Sequence, residues 1–241
     1  MSDVFTALQR SLVTLGRGRV WLYMLGPAIL AFFAMIGLSV FLLQHLITTF
    51  IEQPPMSWIV AWGAFWLAKV LAVLGGWVVI LATTYLVATL LSAIIILPLL
   101  LGHLSETDYP DLARMGSDSV MAGAWNSTWS SVLFIVGWLL TLPLWLVPGL
   151  GLILPFFWMA WLNRRTFTFD ALAVHATEQE WRELRRQKAM PLLGLGLIMG
   201  VLAHVPFIGL LAPSLAALAY VHYCLEALRR LRQGAVVAVV G

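Results

Sequence analysis

A single cysteine, Cys224, stands among 241 residues. An intramolecular disulfide needs two and a cysteine-rich zinc cluster needs more, so both are excluded. Charge is also scarce. Asp, Glu, Lys and Arg make up 10% of the chain, against roughly 25% in a soluble domain. A chain that is 61% hydrophobic with a mean hydropathy of +0.94 cannot cover a water-facing surface of this size, so lipid must replace water around it. A cleavable signal peptide is not expected either. Arg10, Arg17 and Arg19 precede an apolar run from Val20 to Leu43, longer than the roughly 7–15 residues of a secretory core, and no small-residue cleavage site follows in a polar context. No nucleophile–base pairing, metal-ligand spacing or phosphate loop stands out, which argues against an enzyme, a cofactor and a metal.

The apolar sequence resolves into segments. The run from Val20 can cross a ~30 Å hydrocarbon core, which takes about 20 helical residues, and predicts a first transmembrane helix over 20–44. Pro27 kinks it or marks a late start. Pro54-Pro55 closes the following loop. Trp58, Trp62 and Trp66 recur every four residues, so one helical face carries them, and tryptophan favours the headgroup level. The region 57–104 therefore reads as an interfacial helix, Ser57 to Leu67, followed by a long second transmembrane helix bent near Pro98. Glu106, Asp108 and Asp111 then fall in a stretch that reads as a solvated loop or short cytoplasmic helix, since its spacing does not suit a hard cation. A polar helix is expected over 168–188, where Glu178 and Arg182 form an i,i+4 pair and Arg185, Arg186 and Lys188 crowd the C-terminal end.

What the chain does have is a phrase written twice. Val147-Pro148-Gly149-Leu150-Gly151-Leu152-Ile153-Leu154-Pro155 returns as Val205-Pro206-Phe207-Ile208-Gly209-Leu210-Leu211-Ala212-Pro213. Proline and glycine within such apolar sequence free backbone groups, which is costly unless protein or a water-filled cavity receives them. Two matched helical hairpins follow, over 130–163 and 190–228, turning at Pro148, Gly149, Gly151 and Pro155 and at Pro206, Gly209 and Pro213. The arm from Leu152 to Leu162 covers only about 17 Å at 1.5 Å per residue, so partial penetration fits, although six short spans satisfy the charges equally. All fourteen Lys and Arg except Lys69 lie in the N-terminal segment 1–19, the stretches around the hairpins and the tail 229–241. The positive-inside rule then puts both termini in the cytoplasm. The expected fold is one all-α integral membrane domain, with two long transmembrane helices and two partly penetrating (re-entrant) helical hairpins.

Two positions suggest anion chemistry. Gly16-Arg17-Gly18-Arg19 precedes the first membrane helix, where helix-start N–H groups and two guanidinium groups suit an oxyanion; basic residues also simply flank cytoplasmic helix starts. Lys69 is a charge within apolar sequence, a functional hypothesis by default, although snorkelling to the outer headgroups also accounts for it. His204 precedes a hairpin turn, where it can partner freed carbonyls. The clusters Arg182 to Lys188 and Arg229 to Arg232 are expected against anionic lipid headgroups rather than nucleic acid.

The order of these elements, with Phe167-Thr168-Phe169-Asp170 between the hairpins and Leu184-Arg185-Arg186-Gln187-Lys188 ending the polar helix, resembles the CysZ-type sulfate permeases of the etoposide-induced membrane protein superfamily. The likeness covers nearly the whole chain and is strongest from Leu146 to Leu225. It implies a homo-oligomer in the bacterial inner membrane that passes sulfate, passively or coupled to an ion. It also implies a sulfate-binding Gly-x-Arg-Arg type element before the first helix. Gly16-Arg17-Gly18-Arg19 matches that element with a glycine interrupting the arginine pair. Two functions follow from different classes: a permease for a small sulfate-like anion, or a non-transporting membrane scaffold whose cytoplasmic helix, Thr168 to Lys188, binds lipid or a partner.

Overall fold

A computed structural model describes residues 2–117, 120–147, 149–205 and 208–240, without the side chains of residues 2, 19, 27, 120, 146, 152, 210 and 235–240. Among the described residues every regular element is helical: α1 (Ser2–Leu15), α2 (Gly18–Glu52), α3 (Met56–Ala61), α4 (Phe65–Leu91), a π-helical turn (Ser92–Ile96), α5 (Leu97–Thr107), α6 (Val120–Thr141), a 3-10 turn (Leu142–Leu146), α7 (Leu150–Ala173), α8 (Glu178–Gln187), α9 (Ala189–Leu202) and α10 (Ile208–Val240). Four segments are long and apolar enough to cross a membrane: Val20–Glu52, Phe65–Thr107, Met121–Trp145 and Leu211–Gly234. The chain divides into two compact units, 28–88 and 1–27 with 89–241.

Within the 28–88 unit, α2 runs beyond the expected limit of 44. No proline or glycine interrupts Gln44 to Glu52, so nothing stops the helix before Pro54. A β-carbon on Gly75 would stand 3.0 Å from the Phe50 ring and one on Gly76 3.0 Å from the Leu43 side chain, so α2 and α4 approach closely there. The expected interfacial helix over 57–67 is corrected. Gly63, at φ 85°, ends α3, its N–H bonding the Val60 carbonyl at 2.9 Å while Ala64 N–H bonds Ile59 at 3.1 Å. That pair of bonds is a Schellman cap. It turns the chain between Trp62 and Trp66, so the three tryptophans do not share one continuous helix, although Trp58, Trp62 and Trp66 are all exposed.

In the other unit, α10 is the buried axis. Ala216 to Leu225 is buried without interruption, and α7, α1, α9 and α5 pack around it. α1 is amphipathic: Val4, Ala7, Ser11 and Thr14 are buried at helical spacing, whereas Phe5, Leu12 and Val13 are exposed. The bend expected at Pro98 is a π turn just before it. Proline lacks the N–H that would serve the carbonyl four residues back, and the wider turn absorbs the lost bond.

The hairpin boundaries also change. The first arm begins ten residues earlier than expected, at Val120, and the second runs to Ala173. No glycine or proline lies between Pro155 and Ala173, so α7 continues through Asn163-Arg164-Arg165. Its 24 residues span about 36 Å; only the apolar portion ends at Leu162. The short-arm argument for partial penetration therefore rests on the charges and not on helix length. The expected polar helix 168–188 divides accordingly. Residues 168–173 belong to α7, and α8 starts afresh behind a capping box in which the Thr177 hydroxyl accepts from Glu180 N–H and Glu180 accepts from Thr177 N–H. The tail after Arg229 continues α10 as far as Val240.

Among the described residues the two copies of the phrase start a helix at the same place. α7 starts at Leu150 and α10 at Ile208, the fourth residue of each copy. A β-carbon on Gly151 would stand 2.8 Å from the Trp145 carbonyl oxygen, and one on Gly209 2.2 Å from that of Ala203, six residues back in both copies. Gly149 adds a positive φ of 88°. Pro155 and Pro213 each lie one turn inside the new helix, leaving the Gly151 and Gly209 carbonyls without their intrahelical donor. Pro148 and Pro206 fall outside the described residues. His204 serves the second turn, its Nδ1 lying 2.9 Å from the Gly200 carbonyl oxygen.

Candidate anion-binding site

α1 and α2 meet at an elbow made by Gly16 and Arg17, which lie between the two helices. Gly16 N–H bonds the Val13 carbonyl and Arg17 N–H that of Thr14, each at 3.0 Å. The Arg17 guanidinium is not open. It grips Asp108, just after α5, by two bonds of 2.8 and 3.1 Å. Both side chains remain partly exposed, at 41% and 23%.

Two of the acids in this stretch, Asp108 and Asp111, are thus partners of the basic ends. Besides Arg17–Asp108, Arg229 bonds both oxygens of Asp111 and the Asp108 carbonyl. Arg10 and Arg230 share Glu226 at 2.7 and 3.0 Å, Arg230 and Lys188 share Asp3 at 2.7 and 3.1 Å, and Arg232 holds Glu180 at 2.8 Å. At the centre lies Tyr109, 1% exposed, with Arg10 donating to its hydroxyl at 3.1 Å and His222 within 3.1 Å. Burial raises the Tyr109 phenol above its usual value, with Arg10 opposing. The charges of Lys188 and of Arg229, Arg230 and Arg232 are met by carboxylates of the same chain.

Three arginines are different. Arg164 and Arg165 on α7 and Arg185 on α8 line one cavity of about 290 Å³ with Asn126, Trp161, Thr168 and Trp181, and no carboxylate contributes to its wall. Arg165 donates from Nε to Ser130 at 3.1 Å and lies 5.4 Å over the Trp161 ring; Arg185 lies 5.1 Å over Trp181. None of the three forms an ion pair among the described residues. Burial first, then the neighbouring charges of Arg185 and Arg164, pull Arg165 below the usual guanidinium value.

A second cavity, about 240 Å³, is lined by Asp170, His175, Arg114, Ser117 and Gly123 among others. Ser127 donates to Asp170 Oδ2 at 3.3 Å, while Oδ1 has no partner among the described residues. Burial drives the Asp170 carboxyl up to about 8, so it is largely protonated at neutral pH. Burial, then Arg114 and Arg232, lower His175 below its usual value. The cavity therefore holds a neutral acid beside a neutral imidazole.

Residues 7–213 match the family described as sulfate transporter CysZ/etoposide-induced protein 2.4. The chain belongs to this family. No curated protein and no solved structure matches it. As a member of a transporter-type membrane family, the chain has its activity sought in binding and passage, and the arginines are the groups to place.

Of the residues expected to hold an anion, Gly16 and Arg17 form the elbow, Gly18 opens α2, and the Arg19 side chain lies outside the described set. Lys69 belongs to the 28–88 unit, exposed early in α4, with no ion pair among the described residues. The sequence reading missed the cavity arginines. A signal was present: Trp161 with Arg165 and Trp181 with Arg185 repeat one Trp-x-x-x-Arg spacing, which stacks each guanidinium on its own helix's indole.

Proposed function

We propose that this chain is a permease or channel for a small sulfate-like oxyanion, a homo-oligomer in the bacterial inner membrane with both termini cytoplasmic. In this reading α6–α7 and α9–α10 form hairpins that penetrate the bilayer partway, and their glycine–proline turns line or gate the route. The elbow Gly16-Arg17-Gly18-Arg19 collects the anion at the cytoplasmic face, and Lys69 adds positive potential towards the outer side.

The observation that carries the reading is the Arg17–Asp108 pair. Two parallel bonds to a carboxylate are the geometry in which a guanidinium receives any oxyanion. Asp108 occupies the place a substrate oxyanion would take. Because the pair is partly exposed, it is worth only ~0–1 kcal/mol, so a free oxyanion can displace the carboxylate at little cost. Asp108 is then an internal competitor that keeps Arg17 oriented when no anion is bound.

Uptake of labelled sulfate into proteoliposomes tests this with Asp108→Asn, which removes the competitor's charge and leaves Arg17 in place. Half-saturation at a lower sulfate concentration is expected. Unchanged half-saturation with unchanged flux would remove Arg17 from the route. Flux absent from folded wild-type protein would favour the scaffold, in which the exposed face of α8 carries the interaction.

A further inference from the structure

The cavity between α7 and α8 has a wall with more hydrogen-bond donors than acceptors. Arg165 Nε is received by Ser130 at 3.1 Å and one Arg164 nitrogen by the Ala189 carbonyl at 3.4 Å, and no carboxylate receives the rest. Three guanidinium groups line about 290 Å³ without a carboxylate among them. Thr168 is 6% exposed and its hydroxyl lacks a partner among the described residues, as does the Trp181 indole N–H. Buried donors left unmade are expensive, and three like charges facing one another repel. Their nearest acids do not relieve them: Glu178 is held by Arg182, Glu183 by Arg186 and Gln187, and Asp170 lines the other cavity. One multiply charged acceptor in the cavity would answer all of these groups together.

We propose that this cavity is a second oxyanion site, separate from the elbow, which takes a tetrahedral anion bearing no proton. The wall dictates the class. Guanidinium, indole and hydroxyl donors satisfy an ion that only accepts, as sulfate and a phosphodiester do. Hydrogen phosphate carries an O–H that needs an acceptor. Asn126 supplies the wall's one side-chain amide, and its NH₂ is turned to the Arg165 carbonyl at 3.4 Å. No ionised carboxylate is present to take that proton. Only the Asn126 Oδ1 and the Thr168 hydroxyl are side-chain acceptors in a wall dominated by donors, so the site favours sulfate over hydrogen phosphate by its hydrogen-bond balance and not by size. The indoles under Arg165 and Arg185 hold the guanidinium planes in position before the ion arrives. The sulfate source rests on the permease reading above; the site itself does not, because binding is read without transport.

Equilibrium binding of labelled sulfate is measured at pH 7 on the full chain in phosphatidylcholine nanodiscs, and in a second arm with phosphatidylglycerol included. Expected are saturable binding, displacement by phosphate at least tenfold weaker than by unlabelled sulfate, and at least tenfold weakening in both Arg165→Gln and Arg185→Gln. Arg182→Gln, one turn away on α8 and paired to Glu178, is the control and binds as wild type. Arg185 makes no hydrogen bond among the described side chains, so its variant keeps the fold; an unchanged melting temperature without sulfate checks this. If phosphatidylglycerol is retained on the purified protein and lost in the same two variants, the site stands with a lipid phosphodiester as its ion. Sulfate binding that survives both substitutions and disappears in Arg17→Ala overturns the proposal while keeping the permease. Failure of both sulfate and phosphatidylglycerol to bind overturns it outright.

Discussion

Replacing Asp170 by Asn should flatten the dependence of stability on pH. The carboxyl is 9% exposed, takes one hydrogen bond from Ser127 and has no cation paired to it among the described residues. Burial moves it from the ordinary 3.8 to about 8. Below pH ~4 the group is protonated folded or unfolded and contributes nothing. As pH rises towards 8 the unfolded chain releases this proton while the folded one retains it, so the native state binds more protons and loses stability steadily. At about 1.36 kcal/mol per pH unit the loss reaches at most ~6 kcal/mol, less as water enters the cavity and relaxes around the ion. Asn keeps the shape and a hydrogen bond with Ser127 and cannot ionise. Thermal unfolding in detergent, followed from pH 4 to 9, should give nearly equal melting temperatures for the two proteins at pH 4. At pH 8 Asp170→Asn should melt higher by ~4 °C or more, taking ~2–4 °C per kcal/mol for a chain of this size. His175, whose value is lowered, opposes folding only as pH falls below the usual 6.5, and it is present in both proteins, so the difference isolates Asp170. Parallel curves across this range would refute the argument that Asp170 is held neutral by burial.

The paired turns predict a graded response to one added methyl. Gly209→Ala, where the β-carbon would meet a carbonyl oxygen at 2.2 Å, should be destabilised by ~2–3 kcal/mol, and Gly151→Ala, at 2.8 Å, by less; chemical denaturation of each orders them. Thr177→Ala removes the hydroxyl that caps α8 and should cost ~1 kcal/mol, read as faster amide exchange over Glu178 to Glu180 with α9 unaffected.

Local chemistry was readable from the chain alone wherever a residue acts on its own neighbours. Apolar length defined the membrane segments, and the second Val-Pro phrase announced a second turn whose glycine and proline fall at matching structural positions. The bounds failed where a breaker was assumed or overlooked. The first hairpin is expected to end at 163, yet charge alone does not stop a helix and no proline or glycine lies between Arg164 and Ala173. Gly63 does stop one, and divides the tryptophan face. The distribution of charge along the chain predicts an orientation but says nothing of pairing. Arg17 with Asp108, Arg230 with Asp3 and Arg232 with Glu180 are 91, 227 and 52 residues apart, and only the packing of α1, α8 and α10 brings them together. The same packing leaves Arg164, Arg165 and Arg185 without acids, which no count of charges along the chain could show.

The central claim is passage of a sulfate-like anion, and labelled sulfate uptake into proteoliposomes tests it most directly, comparing the native chain with Arg17→Ala/Arg19→Ala at equal incorporation. The account predicts uptake above empty liposomes that saturates with sulfate and falls in the double variant. Well-folded native protein that passes no more sulfate than empty liposomes would contradict it.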